Sequence, residues 1–75
     1  MGSKYPVLPP GEIVKVLQKI GFHRISQKGS HVKFRKDGEL VRNVIIPMHD
    51  EVAKGTLQSI LEQAGITIEE FKAFL

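Results

Sequence analysis

The segment Lys28-Gly29-Ser30-His31-Val32-Lys33-Phe34-Arg35-Lys36 sets a histidine directly after a Gly-Ser pair and follows it with alternating apolar and basic side chains. In a β-strand successive side chains point to opposite faces, so Val32 and Phe34 take one face and His31, Lys33 and Arg35 the other. An imidazole beside two fixed cations suits phosphodiester chemistry. RNA cleavage needs a base for the 2′-hydroxyl proton, a proton for the leaving oxygen and positive charge near the phosphate, and an imidazole can fill either proton-transfer role. Positioned proton transfer contributes on the order of 10² to 10⁴ in rate. The plainer alternative is a strand histidine that only faces water, and the pattern taken alone favours it.

Two weaker constellations accompany it. Lys54-Gly55-Thr56 opens a helical pattern, where free backbone N–H groups, the positive end of the helix dipole and a lysine could seat a phosphate. The ordinary reading of that stretch is N-capping by a small polar residue. His23, His31 and His49 with Asp50 or Glu51 could in principle meet at a metal, but no pair has the i, i+4 or short-loop spacing of a dedicated site. Neither a metal nor a cofactor is expected. A nucleophile elbow, a phosphate loop and a cysteine nucleophile are all missing, and so are the aromatics of a single-strand stacking platform.

The elements that must hold these residues follow from periodicity. Ile13, Val16, Leu17 and Ile20 lie on one helical face after Pro9-Pro10, and Gly21 ends that helix. Residues 22–28, 30–36 and 40–47 read as three strands, punctuated by Lys28-Gly29-Ser30 and by Asp37-Gly38, the latter a hairpin signal. The third strand alternates poorly, so its facing is not assigned. Leu57, Ile60, Leu61 and Ala64 define a second helix ending at Gly65, and Thr67 with Glu70 forms a capping box for a short third helix. The expected fold is α+β, in the order α-β-β-β-α(-α), with a three-stranded antiparallel sheet and the helices packed on one face.

With 75 residues the chain has material for one core, expected over residues 9–75 behind a flexible tail at 1–8. The absence of cysteine points to a reducing cytosol, and no apolar run approaches the ~20 residues of a membrane span. Charge is uneven: from Gly11 to Ile45 eight cations face three acids, whereas from Ile46 onward two lysines face five acids. That asymmetry favours a polyanion on one side of the molecule.

Taken in order, a first helix ending LQKIGF, then KGSHVKF, VIIPMH, KGTLQSILEQAGI and EEF, the chain resembles the HicA family of small prokaryotic toxins over nearly its whole length. The resemblance implies an mRNA-cleaving endoribonuclease with an architecture similar to double-stranded RNA-binding domains. It also implies a cytoplasmic location and a HicB-like antitoxin partner, the toxin being a monomer alone and part of a hetero-oligomer with that partner. Gly29-Ser30-His31 aligns with the family's Gly-Ser/Gly-His motif, which implies a catalytic His31. Lys28, Gly29, Ser30, Lys33, Arg35 and Lys54 are the expected RNA contacts. Pro47-Met48-His49 also fits a family pattern, without an assigned catalytic duty. The second helix lacks the lysine cluster of duplex binders, offering only Lys54 after Asp50 and Glu51, so single-stranded or locally structured mRNA is the expected substrate. The alternative is a non-catalytic RNA-binding or protein-interaction module on the same fold.

Overall fold

A computed structural model describes residues 5–75, so the first half of the expected tail lies outside the described residues. The elements run α1 (Pro10–Ile20), β1 (His23–Lys28), β2 (His31–Lys36), β3 (Arg42–Pro47), α2 (Lys54–Ala64) and α3 (Ile68–Ala73). Pro10 begins α1 where the missing N–H is not needed, and Glu12 in the first turn and Lys19 in the last complement the helix dipole. Gly21 ends the helix in the left-handed region at φ 119°, its N–H reaching the carbonyls of Leu17 and Gln18.

The three strands form one antiparallel sheet in the order β1-β2-β3. Val32 and Phe34 of β2 and Val44 and Ile46 of β3 point into the core. There they meet Ile13, Val16 and Leu17 of α1, Leu57, Ile60, Leu61 and Ala64 of α2, and Ile68 and Phe71 of α3. The helices therefore cover one face of the sheet, and among the described residues no polar side chain is buried. Pairing settles the facing of β3: Val44 and Ile46 lie inward opposite Phe34 and Val32, while Ile45 is 40% exposed. β1 contributes no buried side chain at all and is held by its ladder to β2, with a bulge between Arg24 and Ser26.

Several local expectations change. Asp37-Gly38 does lie in the β2–β3 hairpin, but β3 begins at Arg42 and not at Leu40: the last rung is Lys36 to Arg42, leaving a five-residue loop in which the Asp37 carboxylate accepts a hydrogen bond from Arg35 Nε at 2.9 Å. The tight turn is Gly29-Ser30, between the paired residues Lys28 and His31, with φ 59° at Gly29 alone. Positive φ at only the first loop residue is the signature of a type II′ hairpin turn. α2 is preceded by Ala53, which makes no side-chain cap, so capping by a small polar residue does not occur there. Within the stretch expected to be tail, Tyr5 and Leu8 pack on the core and Leu8 bridges Val52. The capping box at α3 is present, Thr67 Oγ1 accepting from the Glu70 N–H and Glu70 Oε1 from the Thr67 N–H. Among the described residues no helix is long and apolar enough to cross a membrane.

The turn after α2 depends on Gly65, at φ 74°. A Cβ there would meet the Arg42 side chain at 2.5 Å, a contact the flexible guanidinium can relieve by moving; the backbone conformation cannot be relieved. Gly65→Ala should therefore cost about 1–2 kcal/mol. At roughly 4–8 °C per kcal/mol for a domain of this size, thermal unfolding followed by circular dichroism should show the loss, and an unchanged melting temperature would contradict it.

Candidate functional site

The uncovered face of the sheet is described by its rungs. Residues directly opposite in an antiparallel ladder share a face. Opposite His31 stand Lys28 on β1 and Pro47 on β3; opposite Lys33 stand Ser26 and Ile45; opposite Arg35 stand His23 and Asn43. These three rungs hold three cations, two imidazoles and no acid. Arg35 is partly neutralised by Asp37, whereas among the described residues no ion pair involves Lys28 or Lys33. The alternation of β2 expected from its sequence is therefore present, with His31 exposed and Lys33 and Arg35 half-buried beside the buried Val32 and Phe34.

Gly29 and Ser30 form the turn that leads into His31. Gln27 Nε2 donates to the Gly29 carbonyl at 2.9 Å, and Arg24 donates to the Gln27 amide oxygen, so the turn is braced from the helix-facing side of β1. That side is otherwise a shallow groove of about 280 Å³ lined by Val14, Gln18, Arg24, Gln27, Val32, Phe34 and Met48. The groove is mainly apolar. Lys54 is the first residue of α2 and is exposed, on an element separate from the strand group.

One residue that local pattern left without a role lies against His31. The His31 and His49 rings are 6.4 Å apart between centroids and nearly perpendicular, at 82°. The cause is a backbone tie beyond the end of β3: the Met48 N–H donates to the Ser30 carbonyl at 2.6 Å, which prolongs the β2–β3 ladder past Pro47 and delivers the next residue beside the turn. The chain then reverses at Asp50, a non-glycine residue at φ 42°. Asp50 Oδ2 lies 4.0 Å from His49 Nδ1. His23 is at the far rung, so the three histidines do not converge, and among the described residues no three potential metal ligands cluster.

The face thus combines exposed imidazole with uncompensated positive charge at one end of a sheet, an arrangement able to bind a phosphate and move protons near it. Among curated proteins no relative matches the chain. A family model described as HicA toxin of bacterial toxin-antitoxin matches residues 11–66, which span α1 from its second residue, the whole sheet and α2. The chain belongs to the HicA toxin family of bacterial toxin–antitoxin systems.

Proposed function

We propose that this toxin is an endoribonuclease that cleaves single-stranded or locally structured mRNA on the open face of its sheet. His31 carries out an essential proton transfer, Lys28, Lys33 and Arg35 hold the phosphates, and Gly29 and Ser30 contact the backbone beside the reacting group. Lys54, on α2, is assigned no contact. The observation that carries this reading is the cross-strand register, in which Lys28 and Lys33 flank His31 on a face without a covering helix. Such cations position RNA without reading its sequence. The reaction belongs in the cytoplasm, where mRNA is available, and is held in check by a HicB-like antitoxin seated over His31, with the free toxin a monomer.

Purified wild type should cleave RNA, and His31→Ala should lose at least about 100-fold in rate, the low end of what positioned proton transfer supplies. RNA binding by His31→Ala should survive, and its expression should no longer arrest bacterial growth. Cleavage at the wild-type rate would overturn the assignment, and binding without cleavage by wild type would favour the non-catalytic module.

Phosphate contacts leave a second signature. With three cations engaged on a single strand, log affinity should fall against log salt with a slope of about −2, and Lys33→Ala should reduce that slope by about 0.7. Fluorescence anisotropy of a labelled RNA bound to His31→Ala measures both, and a flat salt response would remove the cations from the interface.

A further inference from the structure

We propose that His49 is the second proton-transfer group, acting with His31 on the two reacting oxygens of one phosphodiester; this rests on the ribonuclease reading above. Cleavage of RNA by its own 2′-hydroxyl needs two proton movements, and a single imidazole accounts for one of them. The two histidines are far apart in the chain, yet their rings stand 6.4 Å from each other at the same end of the sheet. Both residues are exposed, and 57% of the His49 side chain is open to solvent. Neither ring is taken up in core packing, and the nearest carboxylate to His49, that of Asp50, is 4.0 Å away and itself 96% exposed. Lys28, directly across from His31, supplies positive charge at the same rung.

The juxtaposition is fixed by backbone, not by the side chains themselves. Gly29-Ser30 delivers His31, and the Met48 N–H to Ser30 carbonyl bond delivers His49, so both histidines are referred to the same turn. Exposed side chains change rotamer within nanoseconds, which lets the rings part to admit a phosphate with each nitrogen about 2.6–3.2 Å from its oxygen. One neutral imidazole takes the 2′-hydroxyl proton as the 2′-oxygen bonds to phosphorus. The bond from phosphorus to the 5′-oxygen breaks, and the other, protonated imidazole gives its proton to that leaving oxygen. The products are a 2′,3′-cyclic phosphate and a 5′-hydroxyl, the two rings have exchanged protonation states, and exchange with water resets them. No further reactant is consumed.

The test uses an RNA oligonucleotide in which one bridging 5′-oxygen is replaced by sulfur, a leaving group that departs as thiolate without a proton. Cleavage of this substrate and of ordinary RNA is measured for wild type, His31→Ala, His49→Ala and His49→Gln. On ordinary RNA each variant should lose at least about 100-fold. On the sulfur-bridged substrate the variants at one histidine, and only one, should recover to within about tenfold of wild type, which identifies that residue as the acid and the other as the base. A merely structural role for His49 would not yield recovery that depends on the leaving group or that distinguishes the two residues. Cleavage of ordinary RNA by both His49 variants within about threefold of wild type, or equal impairment of all variants on both substrates, would overturn the proposal. Full cleavage by His31→Ala would instead overturn the assignment of His31, and failure of wild type to cleave RNA would overturn the ribonuclease reading on which the proposal rests.

Discussion

Val32 and Phe34 are 4% and 2% exposed, and their burial decides what the other face of β2 can carry. Side chains alternate along a strand, so a slip of one residue would expose both and turn His31, Lys33 and Arg35 toward the helices. Removing a phenylalanine from a core costs about 3–5 kcal/mol, and burying an unpaired cation costs several kcal/mol more. The two penalties act together, and a domain of this size has only a small stability margin from which to meet them. The register that keeps the core dry is thus the register that presents the imidazole and its cations to solvent. β1 and β3 inherit it through their ladders, which is why Lys28 and Pro47 end up on either side of His31.

Much of this architecture is legible in the amino-acid sequence, for reasons that differ from element to element. α1 and α2 carry apolar residues at helical spacing and end at glycines in the left-handed region, so both length and stop are local signals. The alternation in β2 is equally local. β3 is opaque because Val44, Ile45 and Ile46 form a continuous apolar run, and only pairing with β2 decides that the middle one faces out. Asp37-Gly38 marks the β2–β3 hairpin correctly but not the length of its loop: pairing stops at Lys36 and Arg42, and the loop takes up Leu40 and Val41.

The site divides along the same line. His31, Lys33 and Arg35 lie on one strand and can be grouped by counting residues, whereas Lys28 joins them only through the β1–β2 ladder. His49 lies beyond local pattern altogether. Its neighbourhood depends on one backbone hydrogen bond between residues 30 and 48, and no spacing rule encodes a contact of that kind. Family membership gives the toxin role, and the match over residues 11–66 includes both histidines and every strand. The proposal that RNA lies on the open face is supported by the uneven charge and the uncovered sheet.

The most direct test of RNA binding on that face is an amide ¹H–¹⁵N titration of His31→Ala with a short single-stranded RNA, which shows where the strand lies without cleaving it. Perturbed resonances should cluster on the Lys28, His31 and Lys33 rungs, the Gly29-Ser30 turn and His49. Perturbations confined to α1, α2 or the groove between α1 and the sheet, with those rungs unmoved, would contradict it.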